Sequence, residues 1–216
     1  DETATVTVDV DDPQTTIGVS PTSPTADDTP TFGFSSSEPG STFLCSVDGG
    51  AAAPCTSPFT TGALADGSHT VTVTAVDAAG NADDTPASVT FTVDTDDPET
   101  TIGGAPLDPS SDTTPTFTFS SDEGGTFLCS IDGAPAALCT SPFTTPTLAQ
   151  GAHTFSVTAQ DAAGNADPTP DTHAWTVDDQ DPTVAITAPL DGAFLNSAPT
   201  LTANAADTGT GVTSVS

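Results

Sequence analysis

Between His69 and Asp77 the sequence reads H-T-V-T-V-T-A-V-D, with an apolar residue at every second position over most of its length. That period belongs to a strand with one face buried. It points Val71, Val73 and Ala75 inward, and the matching run at 153–161 points Phe155, Val157 and Ala159 inward. On the opposite face Val76 is matched by Gln160, so that face is expected to meet water. Phe32 and Phe34 match Phe117 and Phe119, while Phe43, Cys45 and Val47 match Phe127, Cys129 and Ile131. Phe59 and Leu64 match Phe143 and Leu148 and complete the candidate core. The runs are short, rich in Thr, Val and Phe, and separated by 20 Pro and 18 Gly. The pattern predicts strands throughout and no helix of useful length. The expected class is all-β, with small two-sheet sandwiches stacked in series.

The series follows from repetition. V-D-V-D-D-P-Q-T-T-I at 8–17 returns as V-D-T-D-D-P-E-T-T-I at 93–102 and, more loosely, as V-D-D-Q-D-P-T-V-A-I at 177–186. Asp9, Asp94 and Asp178 are therefore 85 and 84 residues apart, a period that marks a tandem array of one module. T-P-T-F, T-F-L-C-S, C-T-S-P-F-T-T and D-A-A-G-N-A-D recur between these acidic joints. The expected domains are a module at 13–94 and another at 95–178. Residues 1–12 read as the last strand of a preceding module plus a joint, and 179–216 as a joint and the first strands of a further, incomplete module. Either these are parts of a longer array, or copies of the chain complete one another in a fibre.

Composition narrows the function. There is no Lys or Arg against 30 Asp and Glu, a formal charge of −30 with histidine neutral. On that count no salt bridge to a basic side chain is available. Binding nucleic acid or an anionic membrane needs a cationic surface, so both are excluded as direct partners. Clustered Asp at the joints calls for protons, solvent screening or a metal. The alternative is a solvated, salt-adapted acidic surface.

Cys45 and Cys55 are spaced as Cys129 and Cys139 are, one pair per module. This regularity predicts disulfides and an oxidising compartment, with reduced, buried thiols as the alternative. A hairpin centred on Gly50 would set Cys45 opposite Cys55, and one centred on Ala134 would do the same for the second pair.

The run L-A-D-G-S-H-T-V-T-V-T-A-V-D-A-A-G-N at 64–81, its counterpart at 148–165 and the D-x-x-D-P joints resemble bacterial immunoglobulin-like repeats of large secreted adhesins and surface fibres. The resemblance implies immunoglobulin-like β-sandwich modules arranged end to end, an extracellular or cell-surface location, and calcium held between modules. Carried onto this sequence, it assigns calcium to Asp9, Asp11 and Asp12, to Asp94, Asp96 and Asp97, and to Asp178 and Asp181. Gln180 stands where the other joints have Asp and offers only an amide oxygen, so the three sites are not expected to be equal in affinity. From the D-A-A-G-N loops it adds Asp77 and Asn81, and Asp161 and Asn165, with Asp83 and Asp167 facing the same joints. Without a metal those loops would be plain turns, with Gly80 and Asn81 chosen for positive φ.

An enzyme is not expected. His69 and His153 follow tight turns with no repeated nucleophile beside them, and the paired carboxylates lie at joints rather than across one cleft. The expected function is a structural spacer, or stalk, of an extracellular adhesin or surface filament, stiffened by intramodule disulfides and by calcium. Its partners would be neighbouring modules and other copies of the chain. The alternative is an accessory repeat of a secreted enzyme that binds carbohydrate or a surface. There is no Tyr, and the one Trp, Trp175, aligns with Phe91 on a core strand, which leaves little for a sugar platform.

Overall fold

The alternating runs become strands because Thr, Val and Phe fit a pleated, half-buried surface. In the computed structural model, residues 8–189, 191–193, 196–207 and 209 are described, and all their regular secondary structure is β. In chain order the first strands are β1 (Thr15–Val19), β2 (Thr31–Ser36), β3 (Thr42–Val47), β4 (Ala53–Cys55), β5 (Phe59–Thr60), β6 (Gly67–Val76) and β7 (Ala87–Val93). They form two sheets of order β1-β2-β5 and β4-β3-β6-β7. The next set is β8 (Thr100–Gly104), β9 (Thr116–Ser121), β10 (Gly125–Ile131), β11 (Ala137–Cys139), β12 (Phe143–Thr144), β13 (Gly151–Asp161) and β14 (Asp171–Val177). Its sheets have the same connectivity, β12-β9-β8 and β11-β10-β13-β14. A last hairpin pairs β15 (Thr183–Ala188) with β16 (Thr202–Ala206). By packing, the chain divides into Asp1–Asp97 with Asp161–Asn165, and Pro98–Gln160 with Ala166–Ser216. Residues 4–7 of the strand expected at 4–9 lie outside the described residues, and no strand is assigned at 8–12.

Each sandwich closes over the inward set. Phe32, Phe34, Cys45, Val71, Val73, Phe91 and Val93 form one core. Phe117, Phe119, Cys129, Phe155, Val157, Trp175 and Val177 form the other. Ala75 and Ala159 are buried, whereas Val76 is half-buried and Gln160 exposed, so the two faces of this strand divide as its alternation requires. The Trp175 ring meets Phe117 edge-on at 5.2 Å, in the place where Phe91 meets Phe32 at 5.4 Å. Each such side chain stabilises the fold by about 1.5–3 kcal/mol on burial, so cores this small leave little margin.

The two sheets are tied at one side by the segment after β1. Thr25, buried, donates its N–H to Thr92 O at 3.0 Å and accepts from Asp94 N at 3.0 Å, and Ser110 does the same between Thr176 and Asp178. The first strand of each module thus begins on one sheet and its continuation borders the other. A register shift recurs at the same place in all three initial hairpins, between Ile17 and Val19, Ile102 and Gly104, and Ile186 and Ala188.

Both cysteine pairs are disulfides, with Cα atoms 5.8 Å apart in each. The pairing register differs from the hairpin centres expected from the spacing. Cys45 faces Ala53 and Cys55 faces Phe43, so the bridge joins diagonal positions. The second bridge is equally diagonal, with Cys129 facing Ala137 and Cys139 facing Phe127. The cause lies in the turn, where Asp48 and Gly49 both have positive φ (52° and 69°) and Gly50 N closes on Val47 O at 2.9 Å. Two left-handed residues make the tight turn that matches strand twist, and Asp-Gly is the pair that adopts it. The turn is therefore centred on Asp48–Gly49, and correspondingly on Asp132–Gly133.

A non-reducing map with a protease specific for acidic residues is expected to recover Cys45–Cys55 and Cys129–Cys139 peptides, and a Cys45–Cys129 link would contradict the fold. Replacing Cys45 and Cys55 together by Ala is expected to cost the first module about 3 kcal/mol, read from its denaturation midpoint.

Candidate metal centre

The D-A-A-G-N loop follows directly from the end of β6. Asp77 turns its carboxylate back over its own turn, where Oδ1 accepts Gly80 N at 2.6 Å and Asn81 N at 2.7 Å. Gly80 takes φ 97°, a left-handed position that a side chain would strain. Asn81 then donates through Nδ2 both to Asp77 Oδ2 at 2.8 Å and to the backbone O of Asp9 at 3.2 Å. One amide thereby fastens the incoming chain to the loop. In the second loop Asp161 accepts Gly164 N and Asn165 N, and Asn165 Nδ2 reaches Asp161 Oδ2 and Asp94 O, each at 2.8 Å.

This fastening delivers Asp9 to the loop. Carboxylate oxygens of Asp9, Glu38 and Asp77 all lie within 4.8 Å of one another, with Asp77 buried, Glu38 half-buried and Asp9 exposed. Burial, followed by the charges of Asp9, Asp77, Asp11 and Asp12, pushes the Glu38 carboxyl above the usual range. Burial also pulls Asp77 upward, but the Asn81 side chain and the amides of Asn81, Gly80 and Ala79 together outweigh it and hold Asp77 below the usual range. Asp77 is thus an anion fixed by the fold, and Glu38 is the carboxylate most opposed by its neighbours. A donor set of oxygens only, with no cationic side chain in reach, suits a hard divalent ion such as calcium, which takes six to eight oxygens in flexible geometry.

The other residues singled out by the sequence divide into several groups. Asp11 and Asp12 are exposed, and they act on Glu38 through their charge, while Asp11 N caps Asp9 Oδ1 at 3.2 Å. Asp96 and Asp97 are likewise exposed. Asp178 Oδ1 accepts Gln180 N at 3.3 Å, and Asp181 is exposed. Asn81 and Asn165 spend their Nδ2 donors on crosslinks. Asp83 does not face the joint: it is buried, and its oxygens take Thr15 N at 2.7 Å and Thr85 N at 2.9 Å. Asp167 is buried likewise and takes Thr100 N and Thr169 N. These two carboxylates staple the first strand of each module to the loop after its longest strand, and both oxygens of each are taken by those amides. Glu38 is the member of the cluster left out of the ligand assignment, although the strand order of a sandwich places its loop, and that of Glu123, at the end where the chain enters. Its signal was present in the repeat, since Glu123 occupies the same position in the second module.

Comparison with known proteins agrees with this architecture. Residues 2–95 match the family model described as a bacterial Ig-like domain. Fibronectin(III)-like modules of CbhA from Clostridium thermocellum are similar in structure, with TM-score 0.50 and 20% identity, covering 76% of this chain and 94% of that one. A 1.5-MDa bacterial ice-binding adhesin gives TM-score 0.38 at 18% identity, covering 74% of this chain and 62% of that one. A tetra-tandem repeat in the extending region of a large adhesion protein gives TM-score 0.28 at 18% identity over 94% of this chain and 66% of that one. No curated protein matches the sequence significantly. Residues 2–95, somewhat under half of the chain, are thus similar to a bacterial Ig-like domain, and the second set of strands repeats their sheet order.

Proposed function

We propose that the chain is a spacer segment of an extracellular adhesin or surface filament, and that calcium at the module joints sets its stiffness. The observation that carries this reading is duplication: core, disulfide, acidic loop and Asn crosslink each recur at matching positions among the described residues. A catalytic or ligand-recognition centre would be expected once, whereas repetition serves length. The modules of this reading are 13–94 and 95–178, flanked by 1–12 and 179–216 as parts of neighbours. Disulfides favour an oxidising, extracellular setting.

At the first joint Asp9, Glu38 and Asp77 would hold the ion, with Asp11 and Asp12 adding negative field. The equivalents by sequence are Asp94, Glu123 and Asp161, with Asp96 and Asp97, and at the third joint Asp178 and Asp181. The ion would supply the positive charge that the sequence lacks. The accessory carbohydrate-binding alternative loses its best platform, since Trp175 is 2% exposed.

Small-angle scattering at fixed moderate ionic strength is expected to show a longer, stiffer particle with calcium than with chelator. Superimposable profiles would leave the joints as solvated acidic surface. Glu38→Gln removes charge from the most opposed carboxylate without touching the core. Without metal it is expected to leave the melting temperature equal or slightly higher. With calcium in hundredfold excess over Kd it should forfeit much of the roughly 2.7 kcal/mol of linkage stabilisation that such binding gives. Equal calcium-induced shifts in both proteins would argue against this ligand set.

A further inference from the structure

His69 and His153 are bonded in a way that requires two ring protons. His69 Nδ1 lies 2.7 Å from Asp48 Oδ2 and Nε2 lies 2.7 Å from the carbonyl O of Ala65. His153 repeats this with Asp132 Oδ2 and Ala149 O, both at 2.8 Å. A carbonyl oxygen and a carboxylate only accept, so each imidazole must donate from both nitrogens, which only the imidazolium does. The second oxygen of Asp48 accepts Thr70 N at 2.8 Å, and that of Asp132 accepts Thr154 N at 2.8 Å. The rings also lie against Phe91 and Trp175, with centroids 6.0 and 5.7 Å apart, at the range where an aromatic face attracts a cation. An imidazolium here makes ion pairs that the expectation of none, which counted only Lys and Arg, left out.

We propose that His69 and His153 are structural cations, one per module, each clasping the β-turn of the disulfide hairpin to the loop that enters the longest strand, and that losing the second ring proton releases this end of the module. The site is distinct from the acidic cluster. His69 lies near the start of β6, and Asp77 follows its far end, about 25 Å away at strand rise.

The surroundings favour the charged ring. Around His69, the turn supplies Asp48, the entering loop supplies Asp66, whose carboxylate holds Thr95 N, and β7 opposite carries no titratable side chain. Around His153, the turn supplies Asp132, the entering loop has Gln150 in place of Asp66, and β14 carries Asp171 and His173. The Asp48 bond first and the Ala65 carbonyl second raise His69, and the Ala149 carbonyl first and Asp132 second raise His153, each against burial. The bond from His69 holds Asp48 below the usual range; Asp132 is also lowered, burial being opposed by His153 and Thr154. A raised histidine stabilises fully below its unfolded value and loses that contribution as pH rises through its folded value. A lowered carboxyl contributes above its unfolded value and fails as pH falls through its folded one. The clasp is therefore complete at mildly acidic pH and opens as pH rises through the folded values of the histidines, which lie above the ordinary histidine range.

Long-range proton–nitrogen correlation spectra of the whole labelled chain, from about pH 5 to about pH 9, test this. Both ring nitrogens of His69 and His153 should show the imidazolium pattern at neutral pH, and each ring should titrate above the same residue in the urea-unfolded chain. Amide protection at 47–50 and 69–70 should fall as His69 deprotonates, by up to about tenfold for each unit separating folded and unfolded values. Asp48→Asn should lower the His69 titration and leave His153 unmoved as the internal control. A single-tautomer neutral pattern at neutral pH, a titration no higher than in the unfolded chain, or an unshifted His69 in Asp48→Asn would overturn the proposal. Should that variant not fold, the wild-type titration decides alone.

Discussion

A carboxylate inside a fold needs something positive to face, and this chain has neither lysine nor arginine to provide it. Its solution is the backbone. Asp77, Asp83, Asp161, Asp167 and Asp171 each accept two main-chain N–H groups, and Asp27, Asp112 and Asp122 accept one each. Hydrogen bonds to an ionised acceptor are stronger than neutral ones, and several on one carboxylate keep it charged. In this chain aspartate does the work of turn-former, staple and sheet tie. The loops are thus built around anions, and the small apolar cores are not asked to hold them alone.

Beyond the backbone, two proposed cations bear on the remaining carboxylates. At the hairpin end of each module an imidazolium takes that role, between Asp48 and Ala65 or between Asp132 and Ala149. At the end where the chain enters, Asp9, Glu38 and Asp77 converge, and burial, followed by the charges of its neighbours, raises Glu38. Asp77 is satisfied by amides and lowered, whereas Glu38 is raised by burial and by its neighbours' charges.

The strands and cores were legible because period-2 alternation survives in every long run and the repeat supplies two readings of each position. Trp175 could be placed in the core from its alignment with Phe91 alone. Other features were hidden for identifiable reasons. The hairpin register depends on two left-handed residues, and counting between cysteines cannot distinguish a facing pair from a diagonal one. Asp83 looked like a joint residue because type and position say nothing of direction, and its carboxylate in fact points back to Thr15 N. The clasp histidines lacked any local motif, since their partners are 21 residues away for the carboxylate and 4 for the carbonyl. Glu38 was visible in the repeat but sits outside the conspicuous acidic runs.

The account turns on whether the unmatched carboxylates at the joint bind a cation specifically or merely attract a diffuse atmosphere. Calorimetric titration of calcium into the metal-free chain at fixed ionic strength, beside Glu38→Gln, separates the two. Saturable binding with a defined stoichiometry, reduced in Glu38→Gln and not reproduced by an equal ionic strength of sodium chloride, is the predicted result. A weak, unsaturable signal that is the same for both proteins would contradict it.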